Sequence, residues 1–162
     1  MLIGRTYQSP LGEILLLADE SGISGLWFRD QKHFPMELSY REGTCPYLDQ
    51  GKAWLEGYFA GEIPNDLPPL APSGTAFQRR VWAALLEIPY GTTVTYGTLA
   101  KKLGIGSSQA VGGAVGRNPI SLMIPCHRVV GAGGQLTGYA GGLHRKEWLL
   151  TLEGVHSGTR CP

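Results

Sequence analysis

The pattern of apolar and polar positions changes period about a third of the way along the chain. From Leu2 to Arg29 the apolar residues come in short runs separated by turn chemistry. Leu2–Gln8 stops at Ser9-Pro10, Gly12–Ala18 holds Ile14-Leu15-Leu16-Leu17, Asp19-Glu20-Ser21-Gly22 is a turn, and Ile23–Arg29 carries Leu26, Trp27 and Phe28. Such runs predict three strands of an antiparallel meander. Residues 30–45 are polar and mixed and predict no element. Pro46–Ala60 then reads as a helix, with Leu48, Leu55, Tyr58 and Phe59 on one face, Pro46 in the first turn and Gly61 at the stop. Residues 62–72 contain four prolines, which neither a helix nor a central strand accommodates. They predict an extended, stiff linker that closes a first domain at residue 73.

The second half has helical periodicity. Thr75 suits the N-cap of a helix over Ala76–Glu87, whose buried stripe would be Phe77, Val81, Trp82, Leu85 and Leu86. Thr95 caps Tyr96–Leu103, which stops at Gly104, and Ser108 caps Gln109–Arg117. Two short helices joined by a glycine-containing turn make a helix-turn-helix pattern. The second of them contains Gly112, Gly113 and Gly116, each costing roughly 1 kcal/mol of helix propensity against alanine. The plain reading is tight packing of this helix on its own domain and the functional one a slim helix entering a nucleic-acid groove; both can hold on opposite faces. Asn118-Pro119 ends it. A last helix, Leu143–Leu152, is expected to turn Trp148, Leu149 and Leu152 inward. Residues 74–155 thus form a second domain, and 156–162 read as a flexible tail.

Charge sharpens this division. Residues 1–73 carry 5 Lys/Arg against 10 Asp/Glu, a net of −5, whereas residues 74–156 carry 8 against 3, a net of +5. A basic half beside an acidic one fits a nucleic-acid face on the second domain alone; the plainer reading is two solvated surfaces. Cys45, Cys126 and Cys161 are odd in number and widely spaced, which argues against a disulfide framework. No signal-peptide pattern opens the chain and no apolar run approaches spanning length, so a cytoplasmic protein without membrane attachment is expected. Cys45 and His33 do not make a zinc site, and no metal is expected.

Cys126 and His127 stand side by side in Ile124-Pro125-Cys126-His127-Arg128-Val129-Val130. Nearby cations lower a thiol pKa and favour the nucleophilic thiolate. A buried cysteine is equally often a small core hydrophobe, and this stretch alone leaves both readings open. Arg128 reads as a structural ion-pair or hydrogen-bond donor.

The wider pattern resolves the choice. Asn118-Pro119, the Ile124–Val130 segment, Gly138-Tyr139-Ala140-Gly141-Gly142 and Lys146-Glu147-Trp148-Leu149-Leu150 occur in order, and together they resemble the O6-alkylguanine-DNA alkyltransferases, the methylated-DNA–protein-cysteine methyltransferases. The resemblance is specific over residues 75–155 and weaker over 1–70. It implies an α/β (α+β) fold, with a ribonuclease-H-like N-terminal β-sheet domain and a C-terminal winged/helix-turn-helix domain. It also implies DNA repair by a single, irreversible transfer of a methyl or alkyl group from O6-alkylguanine, or O4-alkylthymine, after base flipping.

By the same resemblance Cys126 is the acceptor, His127 takes its proton through a water, and Glu153 orients the histidine. Asn118 pins the turn, and Tyr96 donates to the base and crowds the phosphate. Tyr139 lines the pocket, the Ala140 amide faces O6, the carbonyls of Cys126 and Val129 read the exocyclic amine, and Lys146 supports the pocket. Gln109, Ala110, Gly113, Ala114 and Arg117 meet the minor groove of double-stranded DNA. The expected state is a monomer, with cooperative binding on DNA open, and no cofactor is implied.

One position departs from the family. Where relatives carry an arginine that fills the gap left by the flipped base, this chain has Gln109. That implies weaker DNA affinity or less efficient extrusion, with Arg117 a candidate to compensate. The competing readings are a non-catalytic binder of alkylated bases, a transcriptional regulator and a cysteine protease. The first loses the cysteine in relatives of that kind, the second needs side chains that reach bases, and the third needs a histidine from elsewhere in the chain.

Overall fold

The computed structural model describes residues 1–155, so the tail reading of 156–162, with Cys161, lies outside the described residues. The chain forms two compact units, Met1–Ser73 together with Pro119–Ser121, and Gly74–Asn118 together with the chain from Leu122 onward.

The first unit is a four-stranded sheet in the order β3-β2-β1-β4, from β1 (Ile3–Ser9), β2 (Gly12–Ala18), β3 (Ile23–Phe28) and β4 (Arg41–Glu42). β1 and β2 form a hairpin in which Ser9 faces Gly12, β3 continues antiparallel, and β4 adds parallel to β1. The two residues of β4 lie in the stretch that carried no sequence signal. β2 is buried on both faces: Leu15 and Leu17 pack with Trp27 under Phe34, Leu38 and Tyr40, and Ile14 and Leu16 are equally buried.

Helix α1 (Pro46–Phe59) buries Leu48, Gly51, Leu55 and Tyr58. Gly51 permits the close approach of helix and sheet, because a Cβ there would sit 2.9 Å from Leu16 Cδ2. The expected linker is partly built into this unit. Ile23 donates to the Pro69 carbonyl at 2.8 Å and accepts from Ala71 at 2.7 Å, while Leu26 exchanges bonds with Pro119 and Ser121 at 2.8 and 2.9 Å. These two short segments cover the outer edge of β3, which would otherwise offer unpaired backbone groups.

In the second unit α2 (Ala76–Leu85) starts with a reciprocal capping box, Thr75 and Gln78 each accepting the other's backbone N–H at 3.0 Å. Its buried face is Val81, Trp82, Ala84 and Leu85. Phe77 and Leu86, expected in that stripe, are instead 36% and 43% exposed, because they stand at the ends of a ten-residue helix beyond the contact.

α3 (Tyr96–Leu103) is capped by Thr95 and stops at Gly104, whose φ of 70° is left-handed. α4 (Ser108–Gly116) is capped by Ser107, one residue earlier than expected. The indole N–H of Trp82 donates to the Ala114 carbonyl at 2.8 Å and ties α2 to α4. β5 (Val94–Thr95) pairs in parallel with β6 (Val129–Val130), so the entrance to α3 is bonded to the exit from the Cys126 segment. α5 (Leu143–Leu152) buries Arg145, Lys146, Leu149 and Leu150; Trp148 faces outward and is 36% exposed, contrary to expectation. Among the described residues no helix is long and apolar enough to cross a membrane.

Candidate active site

Cys126, His127 and Arg128 form one turn of 3-10 helix entered from Pro125. This irregular turn, rather than a strand, takes the two adjacent side chains out of strict strand alternation. The turn is held from both ends. Upstream, the Asn118 amide donates to the Ile124 carbonyl at 2.8 Å inside the core. Between them Leu122 takes a left-handed backbone with φ 73°, an uncommon state for a leucine. Downstream, β6 joins β5.

Every charged group here is buried and partnered. His127 is fully buried, and its Nε2 lies 2.7 Å from Glu153 Oε2. The Arg128 guanidinium grips the same carboxylate, Nε to Oε1 at 2.8 Å and Nη2 to Oε2 at 3.1 Å, and the Gly91 amide donates to Oε1 at 3.1 Å. A carboxylate shared with a guanidinium only accepts, so Nε2 of His127 is the donor, and the neutral ring offers its buried Nδ1 as the acceptor. Glu153 sits at the C-cap of α5, where a carboxylate is mildly unfavourable; these bonds offset that.

Burial pushes the Cys126 thiol up, opposed by a hydrogen bond from Asn118 and by the Lys146 charge. Burial likewise pushes the His127 imidazole down, against the pull of Glu153. Both shifts favour the uncharged forms, a protonated thiol and a neutral imidazole, over a thiolate–imidazolium pair.

Lys146 is fully buried and donates to the carbonyls of Val129 and Thr137 at 2.5 and 2.8 Å. Desolvation lowers its pKa to about 8. Tyr96 Oη also reaches this loop, donating to the carbonyls of Thr137 and Gly138 at 3.3 and 3.2 Å. Both bonds are long and divided between two acceptors, so a better acceptor would displace them. Tyr139 carries a buried hydroxyl that has no hydrogen-bond partner among the described residues. Burial raises the pKa values of Tyr96 and, further, Tyr139. Ala140 follows Tyr139 in the turn closed by Gly142 N to Tyr139 O at 2.9 Å.

Cys126, His127, Glu153, Asn118, Tyr96, Tyr139, Ala140, Val129 and Lys146 thus belong to one unit, built from the 3-10 turn and β6, α5 with its C-cap, the 137–142 loop, the start of α3 and the residue that follows the C-cap of α4. The Cys126 carbonyl accepts the Val129 N–H and the Val129 carbonyl accepts Lys146, which leaves each one further lone pair. The α4 residues divide. Gln109, Ala110, Gly113 and Arg117 are exposed, whereas Ala114 is 4% exposed and is tied to α2 through its carbonyl, so its side chain lies off the exposed face. A Cβ at Gly113 or Gly116 would meet nothing within 4 Å, so intramolecular packing does not require those glycines.

Sequence reasoning assigned Arg128 only a structural part and passed over Ile88, Tyr90 and Gly91, which hold the Arg128–Glu153 pair. Their signal was weak, since a Pro-Tyr-Gly turn marks only a helix end. Among the described residues no group of three or more His, Cys, Asp or Glu side chains could hold a metal ion.

A helix-turn-helix unit that buries a cysteine beside a histidine–glutamate pair defines a class, DNA-binding-type domains organised around a thiol. The family profile described as 6-O-methylguanine DNA methyltransferase, DNA binding domain, matches residues 76–155, and that family's ribonuclease-like domain matches residues 2–70. The chain belongs to the 6-O-methylguanine DNA methyltransferase family.

It is 49% identical over 91% of its length to the methylated-DNA–protein-cysteine methyltransferase of Methanosarcina acetivorans, covering 96% of that protein, and 44% identical over 94% of its length to that of Mycobacterium leprae, covering 93%. The crystal structure of Mycobacterium tuberculosis O6-methylguanine methyltransferase superposes with a TM-score of 0.85 at 42% identity, covering all of this chain and 96% of that one. A structure of the Mycobacterium tuberculosis protein in complex with DNA matches with the same TM-score at 41% identity, covering 99% and 95%. The mixed fold, with its ribonuclease-like and DNA-binding domains, is as the sequence implied.

Proposed function

We propose that this chain repairs alkylated duplex DNA by transferring a methyl or alkyl group from O6 of guanine to Cys126, once per protein molecule. O4-alkylthymine is a second substrate of the same chemistry. The observation that carries the reading is the buried row formed by the Asn118-pinned turn, Cys126, His127 and Glu153. The Cys126 proton passes through a water to Nδ1 of His127, and Nε2–H stays on Glu153. Sγ attacks the alkyl carbon, the S–C bond forms, the C–O bond breaks, and guanine leaves with the electron pair. The product is a thioether, which has no leaving path back, so the protein acts once.

Tyr96 releases its long bonds to the loop and donates to the base as negative charge develops there. The unsatisfied Tyr139 hydroxyl supports a base in this pocket, since a bound heterocycle supplies acceptors. The remaining lone pairs on Cys126 and Val129 accept the exocyclic amine, Lys146 steadies the Val129 and Thr137 carbonyls, and the Ala140 amide faces O6. The exposed face of α4, with Gln109, Ala110, Gly113 and Arg117, enters the minor groove of a duplex. The net +5 of the second half supplies salt-dependent attraction. The protein acts as a monomer, and the DNA substrate and the free thiol fit a cytoplasmic setting. The test is stoichiometry: with excess methylated duplex, repair stops after one lesion per protein, and continued turnover would refute single transfer.

A further inference from the structure

Arg128 carries no part in the transfer just described, yet it is 8% exposed and engages all three nitrogens of its guanidinium. Nε and Nη2 hold Glu153 at 2.8 and 3.1 Å, and Nη1 donates to the Ile88 carbonyl at 2.8 Å. Its carbon lies 5.6 Å from the centre of the Tyr90 ring, which shields it from the α2–β5 loop side. Besides the Gly91 amide, Glu153 therefore serves two side chains at once, this fixed cation and the His127 imidazole. A buried carboxylate facing a histidine alone would favour the imidazolium. An imidazolium cannot accept a proton, so a base that must take one from Cys126 has to rest neutral.

We propose that Arg128 is a positioning residue of the transfer: by neutralising Glu153 it keeps His127 an unprotonated imidazole, with Nε2–H on the carboxylate and Nδ1 as the proton acceptor. This rests on the assignment of Cys126 and His127 above. The groups facing His127 are Glu153 from the end of α5, Lys146 from α5, and Arg128 and Cys126 from its own turn; Tyr90, from the α2–β5 loop, faces Glu153 and Arg128. Burial is the largest influence on His127 and lowers its pKa, and the charges of Arg128 and Lys146 add to that against Glu153. Of the two cations, Arg128 is the one in contact with the carboxylate that His127 shares.

The experiment pairs single-turnover transfer at pH 6 and pH 8 with titration of the His127 ring in 15N-histidine-labelled protein. Arg128→Met removes the cation from Glu153, so His127 takes a proton at higher pH and the ratio of the pH 8 rate to the pH 6 rate rises, to roughly tenfold where the ring titrates midway between the two. Arg128→Lys keeps the charge and holds the ratio near that of the unaltered protein. Tyr90→Leu opens the guanidinium to water and moves the ratio the same way as Arg128→Met but less; Tyr90→Phe, which keeps the ring, leaves it unchanged. If Arg128→Met does not fold, the Tyr90 pair decides. An unchanged ratio and an unchanged His127 titration in the variants that fold overturn the proposal, even where their rates drop uniformly. Should the unaltered protein transfer no alkyl group, the function assigned to Cys126 fails, while the ring titration still reports whether Arg128 sets the charge of His127.

Discussion

Nε2 of His127 and Oε2 of Glu153 meet at 2.7 Å with both side chains wholly out of solvent. The contact fixes the imidazole tautomer, and with it which nitrogen can take the thiol proton. Glu153→Gln keeps the shape and offers either an amide oxygen or a donor, so the tautomer is no longer set. The single-turnover transfer rate should fall by roughly 10²- to 10⁴-fold, as for loss of a positioned general base. It also leaves Arg128 buried without its anion, a loss of about 3–5 kcal/mol, so the rate is measured on the folded fraction established by thermal melting. A rate near that of the unaltered protein would mean His127 does not act through this pair.

Gly113 separates folding from DNA contact. A Cβ there touches nothing within 4 Å, so Gly113→Ala should raise stability by up to about 1 kcal/mol through helix propensity. The same methyl group should weaken duplex binding by roughly 1–3 kcal/mol if this face packs into a groove. Urea denaturation and fluorescence anisotropy with a methylated duplex give the two readings. Higher stability with unchanged affinity would take Gly113 off the DNA face.

Gln109 stands exposed in the first turn of α4, where a longer cation would reach further into a duplex. Gln109→Arg should tighten duplex binding and steepen its salt dependence by close to one phosphate contact. Affinity and repair rate both unchanged would show that Gln109 does not meet the DNA.

Lys146 links stability to pH with a sign opposite to that of an ordinary ion-paired lysine. Its folded pKa of about 8 lies below the ordinary lysine value of 10.5. Between those two values the unfolded chain binds the proton and the folded chain does not, so folding stability rises with pH in that window. The burden is greatest below pH 8, where the folded state holds the charge. Relative to Lys146→Met, the protein should gain up to about 1.4 kcal/mol per pH unit from pH 8 towards pH 10. Denaturation curves at pH 7, 8.5 and 9.5 check this, and a flat difference would mean the buried amine keeps its ordinary pKa.

The helices were legible because their ends carry local chemistry. Thr75, Thr95 and Gly104 each satisfy a backbone group within one turn, so sequence neighbours suffice to locate them. Periodicity alone was a poorer guide to which face is buried. On α5 the buried positions include Arg145 and Lys146, whose partners are backbone carbonyls of the 129 and 137–141 segments; nothing in their immediate neighbours announces those partners, and Trp148 looked the better core residue.

β4, the β5–β6 pair and the cover on β3 were illegible for a related reason. Each is two or three residues long and exists only through pairing with distant chain. The candidate site was visible as residue types in order. The sharing of Glu153 between His127 and Arg128 was not, because it depends on a 3-10 turn and a helix end meeting across 25 residues of sequence.

The central claim is that Cys126 itself receives the alkyl group. It is tested most directly by mass analysis of peptides after the protein has met duplex DNA containing O6-methylguanine. The peptide that contains Cys126 should gain the mass of one methyl group as the lesion disappears, and Cys126→Ser should bind the same duplex without gaining it. Lesion loss with the Cys126 peptide unmodified, or the methyl group on Cys45, would contradict it.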